Sequence, residues 1–337
     1  MPAPLNFAVI GLGRMGQQYA QIVSQLPGAR LYALAEPDDA RRREYEGSGV
    51  PHVLADAHEA LALAGLDAVV IATPTSTHDQ LVIAAAQAGL AIFCEKPLAL
   101  TIEGTRAALA AVERAGVPLQ VGFMRRFDPA YQRARALIES GAIGRPTTFK
   151  AIGRDPFCPR VDFADPAKSG GLLIDMGIHD FDLARWLMGD EVERVSAEGT
   201  LLVCDELRAV GDIDNAVANL RFVSGALGNV EVSRNAFYGY DIRTEVLGSQ
   251  GAVQIGGAHQ SPVVLLTREG ALSEPAPYIQ GRFGPAYRAQ IEHFVACLHE
   301  GRQPAVGGAD ALAAIEIGVA ATRSAGVGRA VALDELR

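Results

Sequence analysis

Residues 7–16, FAVIGLGRMG, predict a strand, a tight turn and a helix in the N-terminal part of the chain. An apolar run typical of a buried strand leads into a G-x-G-x-x-G loop, and helical spacing follows it. In such a turn Gly11 permits the tight bend, Gly13 lets the backbone approach a pyrophosphate, and Gly16 lets helix and strand pack closely. The helix N-terminus then offers N–H groups and a positive dipole end to phosphates. The residues predicted to bind the dinucleotide here are Gly11, Gly13, Arg14, Met15 and Gly16.

An acidic residue stands where the second strand is expected to end. Glu36 follows Gly16 by 20 residues, which is where a carboxylate accepts hydrogen bonds from the adenosine ribose hydroxyls. A carboxylate at this point repels a 2′-phosphate, so the sequence favours NAD. The arginines at positions 41–43 leave NADP open, because an arginine nearby can accommodate that phosphate.

Apolar runs alternate with stretches of helical spacing over residues 1–122, and beyond that point strand-like segments follow one another. Alternation favours parallel strands covered on both faces, whereas consecutive strands favour an antiparallel sheet. We therefore predict a doubly wound Rossmann domain over residues 1–122 and an α+β domain with a large, mostly antiparallel sheet over residues 123–337. The predicted N-terminal strands are Phe7–Gly11, Arg30–Ala35, Ala68–Ala72, Ala91–Glu95 and Leu119–Phe123. The predicted C-terminal strands are Pro146–Gly153, Val192–Val203, Asp214–Phe222, Ala226–Ser233, Arg243–Gly248 and Ala252–Ile255, with helices over 171–187, 285–300 and 309–324.

Capping residues punctuate the predicted helices. Ser76 or Thr77 is expected to cap the helix that runs to residue 88, and Thr101 the helix that ends before Gly116. Asp128, followed by a proline, predicts a further helix start.

Composition excludes several classes of protein. The net charge of −9 argues against non-specific nucleic-acid binding. The four cysteines have no coordinating spacing, so we expect no metal site and reduced thiols in a reducing cytosol. No signal-peptide pattern or long apolar run is evident, which predicts a cytoplasmic protein without membrane association.

Three further segments lie where strands are expected to end, the place where ligands collect in open α/β sheets. The segment at 72–78 could line a cofactor, or it could simply cap a helix. The second segment is residues 95–97, in which Lys96 stands at the end of a predicted buried strand. A lysine at such a place is unusual, because burying an ammonium is costly, although Lys96 could also be an ordinary surface lysine. The Lys96–Pro97 bond could be cis. The predicted cofactor-lining residues are Thr73, Pro74, Thr75, His78, Glu95, Lys96 and Pro97.

The third segment holds a carboxylate and an imidazole four residues apart. Asp175 and His179 would share one face of a helix, and a histidine with an acidic neighbour is a plausible general base. An isolated pair at this spacing is also often structural.

Together these segments resemble the glucose–fructose oxidoreductase, inositol dehydrogenase and rhizopine catabolism family, abbreviated Gfo/Idh/MocA. The resemblance spans nearly the whole chain and rests on the glycine loop at 11–16, the Glu-Lys-Pro segment at 95–97 and the segment from Gly170 through His179. Within the family the sequence is most similar to the inositol 2-dehydrogenases, at residues 122–129, 148–156, 175–182 and 238–243.

The resemblance implies NAD-dependent oxidation of a secondary hydroxyl of a cyclic polyol or sugar, with myo-inositol or a stereoisomer as the first expectation. Lys96 would hydrogen-bond the reacting hydroxyl, His179 would take its proton, and Asp175 would position His179 and the substrate. The residues expected to line the polyol pocket are Met124, Arg125, Asp155 and one of Tyr238 and Tyr240. Family members also imply a homo-oligomer, a tetramer or a dimer.

The chain departs from the subgroup at Glu36, where aspartate is usual, at Gly177, and over the segment 157–162, which bears on the choice of substrate. The alternatives are a pyranose dehydrogenase, an oxidoreductase that retains its cofactor, and a non-catalytic NAD-binding regulator.

Overall fold

The computed structural model describes residues 3–256, 264–268, 270–273, 276 and 278–336. The chain divides into two compact units. The first comprises Met1–Phe123 and Arg288–Leu312, and the second comprises Met124–Tyr287 and Ala313–Arg337.

The first unit is built on a six-stranded sheet in the order β3-β2-β1-β4-β5-β6, and every adjacent pair is parallel. Its strands are β1 Leu5–Ile10, β2 Ala29–Ala35, β3 His52–Leu54, β4 Ala68–Ile71, β5 Ala91–Cys94 and β6 Leu119–Val121. Its helices are α1 Arg14–Gln25, α2 Asp39–Arg43, α3 Ala57–Leu61, α4 His78–Gln87 and α5 Ile102–Ala115. The predicted doubly wound parallel sheet is confirmed, although β3, α2 and α3 were not among the predicted elements.

Strand β1 lies between β2 and β4, so the order of strands reverses beside it. The carboxyl ends of the strands on either side of such a reversal form a crevice, where doubly wound sheets bind their ligands. The glycine loop leaves β1 at this edge of the sheet.

The second unit is built on a seven-stranded sheet in the order β12-β11-β7-β10-β9-β8-β15. Only the β7–β10 pair is parallel, so the prediction of a mostly antiparallel sheet is confirmed. The strands are β7 Pro146–Arg154, β8 Val192–Thr200, β9 Asn215–Phe222, β10 Leu227–Ser233, β11 Asp241–Gly248, β12 Ala252–Ile255 and β15 Val331–Ala332, and a separate hairpin pairs β13 Val264–Thr267 with β14 Gly270–Ser273. The helices are α6 Pro129–Glu139, α7 Val161–Ala164, α8 Pro166–Ser169, α9 Leu172–Asp175 and α10 Ile178–Met188. Two long helices, α11 Ile279–Glu300 and α12 Gly308–Val327, each have residues in both units.

The single helix predicted over 171–187 is instead two, α9 and α10. The N–H of Gly177 donates to the carbonyl of Leu172, and a Cβ at Gly177 would lie 2.5 Å from the carbonyl oxygen of Leu173. The backbone therefore passes closer to the preceding turn than a side chain would allow, which accounts for glycine at this position.

The capping predictions had mixed outcomes. Thr101 accepts from the N–H of Gly104, and Asp128 accepts from the N–H of Ala130, as predicted. Thr77, one of the two predicted positions, is the N-cap residue of α4, but its hydroxyl donates to the carbonyl of Pro74 and makes no capping hydrogen bond to the helix.

The compact units do not follow the predicted domain ranges throughout. The change at Phe123 lies one residue from the predicted boundary, but residues 288–312 belong to the first unit. The reason is aromatic packing, since Phe294 of α11 lies 6.1 Å from the rings of both Phe7 and Phe93. That residues 1–122 bind the cofactor and residues 123–337 bind the substrate stays a prediction.

Among the helices in the described part of the chain, none has the length and apolarity to cross a membrane.

The cysteines differ from expectation in one respect. Cys158 and Cys204 form a disulfide, whereas Cys94 and Cys297 are buried free thiols. The expectation of four reduced thiols is therefore wrong for this pair. The two cysteines are 46 residues apart, and no sequence spacing predicts their approach.

Candidate active site

The glycine loop has the geometry that its spacing predicts. Gly11 has a φ of +86°, and a Cβ there would lie 2.7 Å from the carbonyl oxygen of Ala72. A Cβ at Gly16 would overlap the carbonyl oxygen of Gly11. At Gly13, by contrast, no described atom lies within 4 Å of a Cβ position, so the loop is open on this side.

The loop continues into α1 without a cap of its own. Gly13 is the N-cap of α1, and it makes no side-chain hydrogen bond to the first turn, which contains Arg14 and Met15. An open glycine followed by an uncapped helix N-terminus is a binding place for an anion such as a pyrophosphate. The loop therefore fits NAD.

Glu36 lies against this loop and is 5% exposed. Its Oε2 accepts from the N–H of Leu12 at 2.6 Å, and its Oε1 accepts from the N–H of Asp38 at 3.1 Å. The carboxylate is thus fixed at the crevice, where it would meet a ribose.

The three arginines of α2 pair with nearby carboxylates. Arg41 lies 3.7 Å from both Glu36 and Asp38, whereas Arg42 and Arg43 pair with Asp39 at 2.9 and 2.5 Å. Because acidic residues of the same segment hold these side chains, they are less available to a 2′-phosphate, which favours NAD.

His78 connects the two predicted cofactor-lining segments. Its side chain is buried, with Nδ1 2.8 Å from the carbonyl oxygen of Pro97 and Nε2 2.9 Å from that of Thr73. Burial lowers the pKa of His78. The short 3-10 helix Thr75–Thr77 follows Pro74, and the Lys96–Pro97 bond is cis. The structure thus brings the segments 73–78 and 95–97 together within the first unit.

Glu95 belongs to a buried polar group that the sequence did not indicate. Its carboxylate accepts from the Tyr19 hydroxyl and, at 3.0 Å, from the N–H of Lys96. Gln290 donates to the Tyr19 oxygen at 2.8 Å. Burial raises the pKa of Glu95. Tyr19 and Gln290 lie 271 residues apart, so no local pattern could have joined them to Glu95.

In the second unit, Asp175 ends α9 and His179 lies in the first turn of α10. His179 is 7% exposed. One carboxylate oxygen of Asp175 accepts from Arg234 at 3.1 Å. No local pattern in the sequence indicates Arg234, since 59 positions separate it from Asp175.

Two of the predicted pocket residues are buried. Met124 is 0% exposed and Arg125 is 4% exposed. The Arg125 guanidinium donates to Asp180 at 2.6 Å and lies 5.8 Å from the ring centre of Phe283. Burial raises the pKa of Asp180, although Arg125 opposes that effect.

The two candidate tyrosines have different surroundings. Tyr238 is 52% exposed, and its hydroxyl donates to Asp241 at 2.7 Å. Tyr240 is 3% exposed and has its ring 5.6 Å from that of Tyr278. Burial raises the pKa of Tyr240, and the neighbouring charges include those of Arg125 and Asp155.

Asp155 directly follows β7, and its backbone is held by its neighbours. Its N–H donates to the carbonyl of Ser233, and its carbonyl accepts from the N–H of Ala236. Phe157, in the segment 157–162 that was expected to bear on the choice of substrate, packs against Tyr278 with ring centres 4.9 Å apart.

Comparison with known proteins agrees with this architecture. Residues 5–123 match the oxidoreductase family with an NAD-binding Rossmann fold, and residues 131–254 match the GFO/IDH/MocA C-terminal domain. The predicted resemblance is thereby confirmed.

Full-length relatives are similar. The chain is 42% identical to scyllo-inositol 2-dehydrogenase (NAD(+)) of Bacillus subtilis, covering 100% of this chain and 98% of that protein. It is 39% identical to myo-inositol 2-dehydrogenase of Thermotoga maritima, covering 98% and 99%. A solved structure of Lactobacillus casei scyllo-inositol dehydrogenase with NAD(H) and scyllo-inositol has a TM-score of 0.92 at 28% identity, covering 98% of this chain and 99% of that one. The predictions of NAD as cofactor and of a dehydrogenase acting on CH–OH donors are confirmed. The chain belongs to the Gfo/Idh/MocA family of NAD-dependent oxidoreductases.

Proposed function

We propose that this enzyme oxidises a secondary hydroxyl of an inositol to the keto-inositol, with His179 as the base. The observation that carries the proposal is the segment 175–179, which holds a buried histidine four residues after an ion-paired carboxylate. Alcohol oxidation needs a base whose proton affinity suits neutral pH, and imidazole meets that need.

NAD, when bound, supplies the acceptor for the hydride. The chain's own residues do the remaining work. His179 takes the hydroxyl proton on a ring nitrogen, and Asp175 orients the imidazole and stabilises its charged form. Lys96 donates a hydrogen bond to the reacting oxygen, which keeps that hydroxyl in place while its proton leaves.

Two ionic side chains, one buried (Arg125) and one half-buried (Asp155), suit the recognition of a polyol. Asp155 and Arg125 lie near the Tyr240 hydroxyl, and carboxylate, guanidinium and phenol together offer acceptors and donors for vicinal hydroxyls. We assign the pocket to Met124, Arg125, Asp155 and Tyr240. Tyr238 is assigned elsewhere, because its hydroxyl is engaged by Asp241 and Arg154.

The first candidate substrate is myo-inositol. The second is scyllo-inositol, favoured by the 42% identity to the Bacillus subtilis scyllo-inositol enzyme. The two isomers differ at one hydroxyl, so the ratio of their kcat/KM values decides between them.

The test follows NADH absorbance with NAD or NADP and a panel of inositols and pyranoses. We expect reduction with an inositol and NAD, and a loss of about 10²–10⁴-fold in kcat for His179→Ala, because general-base catalysis contributes that much. NAD affinity should stay the same. His58→Ala, an exposed histidine on α3, is the matched control. Tight NAD binding without reduction in the presence of any substrate would contradict the proposal and favour the regulator or the retained-cofactor oxidoreductase.

We also propose a cytoplasmic homo-oligomer, a tetramer or a dimer. One face of the second unit's sheet exposes Val217, Leu227 and Leu247 at 40%, 51% and 46%, and an open sheet face of this kind is a common site of association. Light scattering that shows a monomer at micromolar concentration would contradict the oligomer.

A further inference from the structure

We propose that Arg234 is a positioning residue for Asp175, and that Asp212 works with it. These three side chains, Asp212, Arg234 and Asp175, are called the arginine clamp below. The inference rests on the proposed function, since it concerns the carboxylate assigned to orient His179.

Arg234 directly follows β10, and Asp155 directly follows β7, the parallel neighbour of β10. Both residues therefore lie at the same end of adjacent strands. The N–H of Arg234 donates to the carbonyl of Asp214, which fixes its backbone. Its side chain is 2% exposed, and a guanidinium this deeply buried requires carboxylate partners.

The guanidinium has two such partners. Its Nη1 donates to Oδ2 of Asp212 at 2.9 Å, and its Nη2 donates to Oδ2 of Asp175 at 3.1 Å. The planar fork of arginine sets both directions at once, which the single ammonium of lysine cannot do.

Asp212 also fixes the other end of α9. Its Oδ1 accepts from the N–H of Leu172 at 3.1 Å, the first residue of the helix. The N-cap residue is Gly171, with a φ of +77°, and a Cβ there would lie 3.0 Å from the same Oδ1. Asp212 thus replaces the cap that Gly171 cannot supply.

The four-residue helix α9 is consequently held at its two ends by the two members of the Asp212–Arg234 ion pair. Asp212 binds its first N–H, and Arg234 binds the carboxylate of its last residue, Asp175. So short a helix is not stable alone, and its geometry depends on such contacts. The arginine clamp therefore sets where the Asp175 carboxylate lies relative to the sheet that also carries Asp155.

The test compares Arg234→Lys and Asp212→Asn with wild type. Arg126→Lys is the matched control, because Arg126 also makes a buried two-point ion pair, with Asp182. We expect Arg234→Lys to lower kcat at least tenfold, with KM for inositol within threefold and NAD affinity within twofold. Asp212→Asn should lower kcat three- to tenfold. The control Arg126→Lys should keep kcat within twofold of wild type, even if its thermal midpoint falls as far as that of Arg234→Lys.

A second readout needs no catalysis. Amide hydrogen exchange over residues 171–175 should rise at least tenfold in Arg234→Lys and Asp212→Asn, and it should not change in Arg126→Lys. The inference is overturned if exchange there is unchanged, or if Arg234→Lys retains kcat within twofold of an active wild type. Wild-type protein that reduces no NAD with any inositol would count against the proposed function, whereas the exchange result judges the clamp separately.

Discussion

Arginine is used in opposite ways in two regions of this molecule. On α2, Arg41 and Arg43 are 47% and 69% exposed and pair with carboxylates three to five residues away. In the second unit, Arg125, Arg126 and Arg234 have side chains that are 4%, 8% and 2% exposed. Their carboxylate partners lie 55, 56, 59 and 22 residues away.

The difference concerns what each ion pair does. An exposed pair gains about 0.2–1 kcal/mol, because water screens the charges and ordering two long side chains costs entropy. A buried guanidinium has lost its hydration, so the carboxylate opposite it is a requirement of the fold. The α2 arginines therefore add little to the stability of the fold, whereas the buried arginines join distant segments of the second unit.

The largest expected effect is at Arg126. Its two bonds to Asp182 span 56 residues, and Arg126→Met would leave that carboxylate buried without its partner. We expect a loss of about 3–5 kcal/mol in the free energy of unfolding, measured with urea. The double variant Arg126→Met with Asp182→Leu should recover most of it. If the single variant lost less than about 1 kcal/mol, the contrast between buried and exposed pairs would fail.

An intermediate loss of stability is expected when the disulfide of the second unit is removed. The Cys158–Cys204 disulfide closes a loop of 46 residues. Its removal should cost about 2–4 kcal/mol, chiefly because the unfolded chain regains conformational entropy. The contribution of the disulfide is measured by comparing three thermal midpoints. These are wild type without a dithiol reductant, wild type with the reductant, and the variant in which both cysteines are replaced by serine. Equal midpoints in all three samples would show that the bond contributes nothing to stability.

The smallest effect is expected at Arg43. Its pair with Asp39 is exposed and four residues apart, so Arg43→Ala should change the free energy of unfolding by less than about 0.5 kcal/mol. The same urea experiment at low and high salt provides the check. A loss above about 1 kcal/mol would mean that exposed pairs on α2 stabilise the fold more than their exposure allows.

The candidate site also combines local features with contacts between distant segments. The glycine loop and Glu36 were predicted from local sequence, because a strand, a tight turn and a helix start leave a pattern in adjacent residues. The disulfide and the Tyr19–Glu95–Gln290 group left no such pattern, because their members are far apart in the chain. The four-residue spacing singled out Asp175 and His179, and the family resemblance implied their roles, but neither indicated Arg234.

Sequence alone determined the doubly wound sheet, the mostly antiparallel sheet and the dinucleotide-binding loop, and it favoured NAD as the cofactor. Strand periodicity, turn glycines and capping side chains are local, so they can be recognised without knowing the fold. Tertiary structure alone decided that the helix through residue 176 is broken, that residues 288–312 join the first unit, and that Arg234 holds Asp175. Those outcomes depend on which distant side chains are buried together, and burial makes partners of residues whose spacing in the chain carries no signal.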